Sequence, residues 1–352
     1  MRKTRVSIWS AWIAFLGLVL VASSAMAQIK TYPAIPAHPG RVIVGAQARP
    51  ASVSQTRDTD QDDYMFLTID PEGRGHCYID AHGLNDARQV VVNWTDNCNA
   101  YTNMHVARWD YGDWDSLDFV DANCPDMATY LTSYNDQDIA FGTYYSVNCN
   151  YQPAAGIHAR TGRWFVLPSV EGFPVNEGFS MSNNGLAVGT ASTDLTYSVN
   201  KSWIWDGRKY LFPTYPANWD VNPLYDGPFM INDLGQIVGI YWDLTAGKVR
   251  GFLQHDQQLT TIDAPGNPLA TYLDRITDSG TLLVLGSYTD VNSPYYPFHN
   301  WTWQRGVFTS LPNVPFPGAA WTFIWGLNER GDFSGEWLDS NNLEHAFVAF
   351  RK

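Results

Sequence analysis

Ile231-Asn232-Asp233-Leu234-Gly235-Gln236-Ile237-Val238-Gly239 is a turn followed by a strand, and variants of it recur through the chain at a nearly constant interval. Asn232 and Asp233 are residue types whose side chains hydrogen-bond their own backbone in turns, and Gly235 accepts the positive φ that closes a hairpin. Taking Asn232 as position zero of the box, copies start at Asn85, Asn135, Ser182, Asn232, Thr277 and Asn328, at intervals of 50, 47, 50, 45 and 51 residues. The residue before each start is apolar or aromatic (Leu84, Tyr134, Met181, Ile231, Ile276, Leu327), as expected where a strand feeds the turn. Glycine follows three residues after the start in Gly185, Gly235, Gly280 and Gly331. It follows seven after in Gly142, Gly189, Gly239 and Gly335, with Gly286 the equivalent in the fifth copy, which carries two extra residues. Six units of this length are a repeat architecture.

The fourth unit reads as four strands, at 229–231, 235–242, 249–254 and 258–263, closed by Ala264-Pro265-Gly266. Four strands in such a unit make a propeller blade, and proline, which cannot donate to a ladder, suits the position after the outer strand. It recurs there as Pro125, Pro168, Pro213, Pro265 and Pro312. The sixth unit ends after its third strand, at His345-Ala346-Phe347-Val348-Ala349-Phe350, while Met65-Phe66-Leu67-Thr68-Ile69-Asp70-Pro71 reads like the outer strand of the fourth unit. Residues 65 to 70 are therefore expected to complete the last blade and close the ring, leaving no free edge between first and last blade. The expectation is an all-β protein, a β-propeller of six four-stranded blades, set against five or seven blades and against an open solenoid with capping repeats. An aromatic content of 14% with many Gly and Pro fits an all-β chain.

Residues 1–27 read as a signal peptide: Arg2, Lys3 and Arg5 precede an apolar stretch from Val6 to Val21 and then Ala25-Met26-Ala27. No Cys follows the cleavage site and no second apolar run reaches the roughly 20 residues of a spanning helix, so a secreted or periplasmic chain with no membrane span after cleavage is expected. Removal of those three basic residues takes the formal charge from -13 to -16, which argues against nucleic acid and anionic membrane surfaces as partners. Residues 28–63, with prolines at 33, 36, 39 and 50, are expected to form an irregular N-terminal arm, and 64–352 the propeller. Within the arm, residues 40 to 45 resemble the run after a box.

An exported chain with four cysteines should oxidise them. Cys77 and Cys98 flank the first box and Cys124 and Cys149 the second, and residues equally far from a hairpin turn face each other. The expected pairs are Cys77 with Cys98 and Cys124 with Cys149. No Cys pair has the spacing of a metal site.

The box spacing, the Asn-Asp-x-Gly turn with its following Val-Gly, and the Glu344-His345-Ala346-Phe347 run resemble the bacterial extracellular repeat family named for its His-Ala-Phe (HAF) motif. The resemblance covers residues from about 65 to 352; Arg250-Gly251-Phe252 and Gly156-Ile157-His158-Ala159 are partial matches. It implies an exported repeat protein without an assigned activity, and makes His345 a strand residue of the repeat. Trp109-Asp110 and Trp205-Asp206 resemble the dipeptide of another propeller repeat whose Gly-His partner is absent here. Asp233 and Gly235 overlap the aspartate turn of sialidases, without an arginine cluster or nucleophile beside it.

Nine residues after the box start comes an aromatic in most units, as Trp94, Tyr144, Tyr241, Tyr288 and Trp337, and two further on an aspartate, as Asp96, Asp243, Asp290 and Asp339. Aromatics beside carboxylates stack sugars and accept their hydroxyl hydrogen bonds, so these are the candidate ligand-binding residues. The structural alternative is that the aromatics fill space between blades and the aspartates start loops. No cofactor is expected; Asp58, Asp60, Asp62 and Asp63 alternate like a calcium loop but lack its glycine and distal glutamate. Asn93-Trp94-Thr95 and Asn300-Trp301-Thr302 match a glycosylation acceptor within expected strands. No nucleophile elbow, metal helix or phosphate loop is present, so no catalytic residue is assigned. The expected function is an exported noncatalytic propeller that binds a carbohydrate or another extracellular partner, such as a protein, on its loop face. A polysaccharide-cleaving enzyme (hydrolase or lyase) on the same scaffold and a structural envelope or matrix protein are the alternatives.

Overall fold

A computed structural model of the chain describes residues 47–50, 55–58 and 60–352, except 74, 96–103, 125–126, 147–148, 150, 197, 222–226, 256–257, 279–283 and 290–297. The six boxes sit at the first hairpin of six antiparallel blades. Blade 1 comprises Tyr78–Leu84, Val90–Thr95, His105–Asp110 and Asp113–Ser116, and blade 2 Ala128–Tyr134, Ala140–Ser146, Tyr151–His158 and Trp164–Val166. Blade 3 comprises Val175–Met181, Ala187–Ser192, Asn200–Trp205 and Tyr210–Leu211, and blade 4 Gly227–Ile231, Ile237–Asp243, Lys248–His255 and Gln258–Ile262. Blade 5 comprises Ala270–Ile276, Val284–Thr289, Phe298–Gln304 and Val307–Ser310. Blade 6 comprises Trp321–Leu327, Phe333–Leu338 and Glu344–Arg351, and its outer strand is Tyr64–Thr68, in register Phe347↔Thr68 through Arg351↔Tyr64. The ring therefore closes as the sequence implies. Each inner strand lies against the next, and the sixth against the first.

Each blade buries both faces against its neighbours. Leu186, Ile204, Trp219, Tyr241 and Phe252 form the core between blades 3 and 4, and Ile79, Val90, Trp109, Val348 and Phe350 the core across the closing seam. Burying one such side chain stabilises by about 1.5–3 kcal/mol, so the seam between the last and first blades is held by a hydrophobic core of its own.

The arm differs from expectation. Gln47–Pro50 adds parallel to the outer strand of blade 4, and Gln55–Asp58 adds parallel to that of blade 5, before Tyr64–Thr68 joins blade 6. The incoming chain thus visits the outer edges of three successive blades, because an unpaired ladder edge recruits any extended segment that reaches it. The signal segment and residues 40 to 45 lie outside the described residues. No helix among the described residues is long and apolar enough to cross a membrane. Cys124 and Cys149 are bonded to each other, with Cα atoms 5.9 Å apart. Cys77 is also disulfide-bonded, and its expected partner Cys98 lies outside the described residues.

The boxes form a belt around the axis. In each Asn-started turn the Asn Oδ1 accepts backbone N–H groups of its own turn, as Asn232 does from Leu234 and Gln236. Its Nδ2 donates to the carbonyl of the next box start: Asn85 to Asn135, Asn135 to Ser182, Asn232 to Thr277 and Asn328 to Asn85. Only a residue with both donor and acceptor on a short stem does this, which accounts for Asn rather than Asp at the box start. The following residue makes a second set of links: Asp86 N–H donates to Asp136, Asp136 N–H to Asn183, Asp233 N–H to Asp278 and Glu329 N–H to Asp86.

Both glycine positions have a steric cause. Three residues after the start the backbone is left-handed, with φ of 83° at Gly185, 73° at Gly235 and 78° at Gly331, while Arg88 and Asp138 take the same conformation in blades 1 and 2. Seven after the start, a Cβ at Gly142, Gly189 or Gly335, or at Gly286, would overlap the carbonyl of Tyr130, Glu177, Phe323 or Tyr272 on the inner strand.

Candidate functional site at the axial mouth

Every inner strand carries a β-bulge three residues before its box. The ladder skips His82, Thr132, Phe179, Phe229, Asp274 and Trp325, one per blade. A bulge leaves the extra residue unpaired and re-aims its side chain. Here it turns six residues toward the axis, between the belt and the opposite end, the mouth, where each inner strand begins.

Arg275, next to the bulge of blade 5, extends across the axis. Its guanidinium donates to the carbonyls of Trp325, His82 and Thr132, with the His82 carbonyl at 3.0 Å, and contacts Met230 Sδ. These are the bulge carbonyls of blades 6, 1 and 2, which the ladder cannot satisfy. The Thr132 hydroxyl donates to the bulge carbonyl of blade 3, at Phe179. Burial pushes Arg275 down to about 10, partly offset by Asp274, so it stays charged at neutral pH. Asp274 is pushed up to about 7 by burial; the Ser287 hydroxyl faces it, yet Asp274 Oδ2 is buried without a hydrogen bond of full geometry.

Above Arg275 the mouth is lopsided. On the side of blades 1 and 2, Asp80 Oδ2 accepts the hydroxyls of Tyr78 (2.5 Å) and Tyr130 (2.9 Å) and lies 3.3 Å from His82 Nε2; Asn93 Nδ2 donates to its Oδ1 at 2.8 Å. The His82 imidazole and these donors hold the Asp80 carboxyl below the usual range despite its burial, whereas burial lowers His82. His82 stacks on Trp325 of blade 6, centroids 4.5 Å apart. Burial, with the charges of Glu344 and Asp80, holds Glu336 well above the carboxylate range, and the Trp325 indole facing it partly offsets this. Glu344 accepts the Ile79 N–H at 3.2 Å and is pushed up to about 7, mainly by burial. Around the rest of the mouth, Phe179 and Phe229 of adjacent blades lie 5.7 Å apart, and Tyr272, Glu177 and Asp274 are half-buried.

The aromatics singled out by spacing lie elsewhere. Tyr144 and Tyr241 are fully buried and Trp337 is buried, each stacked on a partner of its own blade or its incoming connection: Phe119, Trp219 and His345. Tyr288 stacks on His299, and Trp94 tilts against His105. The described residues of this set occupy blade interiors one by one and are not brought together. Asp243 Oδ1 accepts the N–H groups of Thr245 and Ala246, and Asp339 Oδ1 those of Asn341 and Leu343, so both start turns. Asp96 and Asp290 lie outside the described residues. Asp60 caps a short helical turn at Gln61–Asp63, and no group of three or more His, Cys, Asp or Glu among the described residues could hold a metal ion. Asn93 and Asn300 are buried.

The mouth residues Asp80, His82, Arg275, Glu336 and Glu344 escaped the sequence reading because they do not recur. Aligned on the box, the place of Glu336 is taken by Asn93, Thr143, Thr190, Ile240 and Ser287 in the other blades. That break in the repeat was the available signal.

No protein-family model matches the chain, and neither does any curated protein. Among solved structures it is similar to the Xanthomonas campestris gluconolactonase XC5397, at 13% identity and a TM-score of 0.45 over 90% of this chain and 98% of that one. It is also similar to a triple-arginine mutant of AofleA from Arthrobotrys oligospora, at 12% identity and a TM-score of 0.48 over 86% and 92%. A Trypanosoma rangeli sialidase bound to the inhibitor DANA matches at 10% identity and a TM-score of 0.46, over 77% of this chain and 54% of the sialidase.

Proposed function

We propose that this exported propeller binds a carbohydrate at the axial mouth, a narrower surface than the loop face as a whole. The observation that carries the reading is the gathering of half-buried aromatics from four blades, Phe179, Phe229, Tyr272 and Trp325, beside carboxylates and above a floor closed by Arg275. Such a concave set offers flat apolar faces to sugar rings and fixed acceptors to their hydroxyls. The Cys124–Cys149 bond fits an oxidising compartment outside the cytoplasm.

Glycan-array binding followed by calorimetry tests it. Tyr272→Ala with Trp325→Ala is expected to weaken binding at least about tenfold, equivalent to about 1.4 kcal/mol. Trp94→Ala with Trp337→Ala should lower the melting temperature and leave affinity within about twofold. Binding that survives the first pair and disappears with the second would move the ligand to the blade rims.

A further inference from the structure

Resting on that carbohydrate-binding reading, we propose that the mouth also cleaves its ligand, with Glu336 as general acid and Glu344 as general base in hydrolysis of a glycosidic bond. The two side chains belong to one sheet face. Glu336 lies opposite Ala346 in the ladder, and Glu344 is two residues before Ala346, so the pair is diagonal across adjacent strands. That relation places their β-carbons roughly 7–8 Å apart or somewhat less. The face points at blade 1, where Ala346, Val348 and Phe350 pack on Ile79 and Ala81.

Glu336 is 8% exposed, and the Trp325 indole facing it only partly offsets the burial of its carboxyl. Burying a carboxyl costs free energy, and the other five blades show that the fold does not require one there. Asp80 gives the contrast: both of its oxygens are occupied by Tyr78, Tyr130, His82 and Asn93, so it holds its negative charge beside Glu336 and is unavailable to a substrate. It is a positioning residue. Glu344 is half-buried, and the Ile79 N–H favours its ionised form. Burial raises both carboxyls, Glu336 the further, so Glu336 is the one that keeps its proton and Glu344 the one that can ionise near neutral pH.

The step balances with water as the only co-reactant. Glu336 gives its proton to the glycosidic oxygen as the bond from the anomeric carbon to that oxygen breaks. Water adds to the anomeric carbon and yields a proton to Glu344. That proton returns to Glu336 through the pair or solvent, leaving two hydroxyl-terminated sugars.

The full exported chain, with its disulfides intact, is assayed against a polysaccharide panel for binding and, separately, for newly released reducing ends. The wild type is expected to release ends from a glycan it binds. Glu336→Gln should lose about 100-fold to 10,000-fold of that rate with binding retained, the range of general acid catalysis. On a nitrophenyl glycoside, whose leaving group needs no proton, Glu336→Gln should stay within about tenfold of wild type while Glu344→Gln loses activity. Binding without end release by the wild type overturns the catalytic proposal and leaves the binding reading standing. Binding to no glycan overturns both. If Glu336→Gln fails to fold, a wild-type rate for Glu344→Gln on the nitrophenyl substrate overturns it equally.

Discussion

The two ends of the axis are built on opposite plans. At the belt, one Asn-centred turn recurs with its hydrogen bonds handed from blade to blade, and the box asparagines are buried with donor and acceptor both used. At the mouth, equivalent positions hold Asp80, Tyr130, Glu177, Gly227, Tyr272 and Phe323, and Asp274 Oδ2 stays without a partner. Repetition at one end satisfies the backbone of successive copies at once; divergence at the other sets different side chains around the axis. In a repeat protein the positions that break the period are the better place to look for function.

That comparison can be broken in several ways. The largest effect is expected where the two plans meet. Arg275→Met strands three buried carbonyls, each costing about 1–3 kcal/mol, so unfolding free energy should fall by more than about 3 kcal/mol in denaturant titration. A loss below 1 kcal/mol would mean that the bulge carbonyls have other donors.

Next comes the close approach that the bulges impose. Gly335→Ala forces a Cβ onto the Phe323 carbonyl and should cost about 2 kcal/mol, whereas Gly331→Ala meets only the Arg351 side chain and should cost about 1 kcal/mol for its positive φ. Equal losses would detach the seven-after-start glycine from the bulge.

The smallest effect is electrostatic and involves both ends. Asp274 and Glu344 toward the mouth and Asp278 in the belt are all pushed up to about 7 by burial, Asp278 also by Asp233. The folded state therefore binds more protons than the unfolded chain between about pH 4 and 7, and stability falls as pH rises through that window. Carboxyls with lowered values, such as Asp194 at about 2 and Asp339, lose their contribution only at more acidic pH, while His82 and His158, lowered by burial, act in the opposite direction within the window. The melting temperature should be higher at pH 5.5 than at pH 8, by an amount on the order of 1 kcal/mol in stability. The reverse order would mean that the buried imidazoles His82 and His158 outweigh the carboxyls.

The terminal blade shows how a motif can be legible and its role hidden. His345 was readable as a strand residue. Its partners come from the other end of the chain: Nδ1 lies 2.6 Å from Asp70 Oδ2, and Asp70 Oδ1 accepts the Ala346 N–H. The likeness of residues 65–71 to the outer strand of blade 4 pointed to this seam, and Arg250 with Asp263, 2.9 Å apart, repeats the clasp in that blade. The aromatics nine residues after the box were equally legible as a period, but period alone does not say whether a side chain faces a neighbouring blade or a ligand.

The sequence by itself determined the six units, their first hairpins, the closing strand and the Cys124–Cys149 bond, because turn chemistry and strand alternation are local and were repeated often enough to be counted. Only the tertiary structure decided where Asp80, Arg275, Glu336 and Glu344 would meet. Each occupies a place its repeats fill with something else, and their proximity arises from closing the ring and from bulges whose trace in the sequence was a glycine on the neighbouring strand.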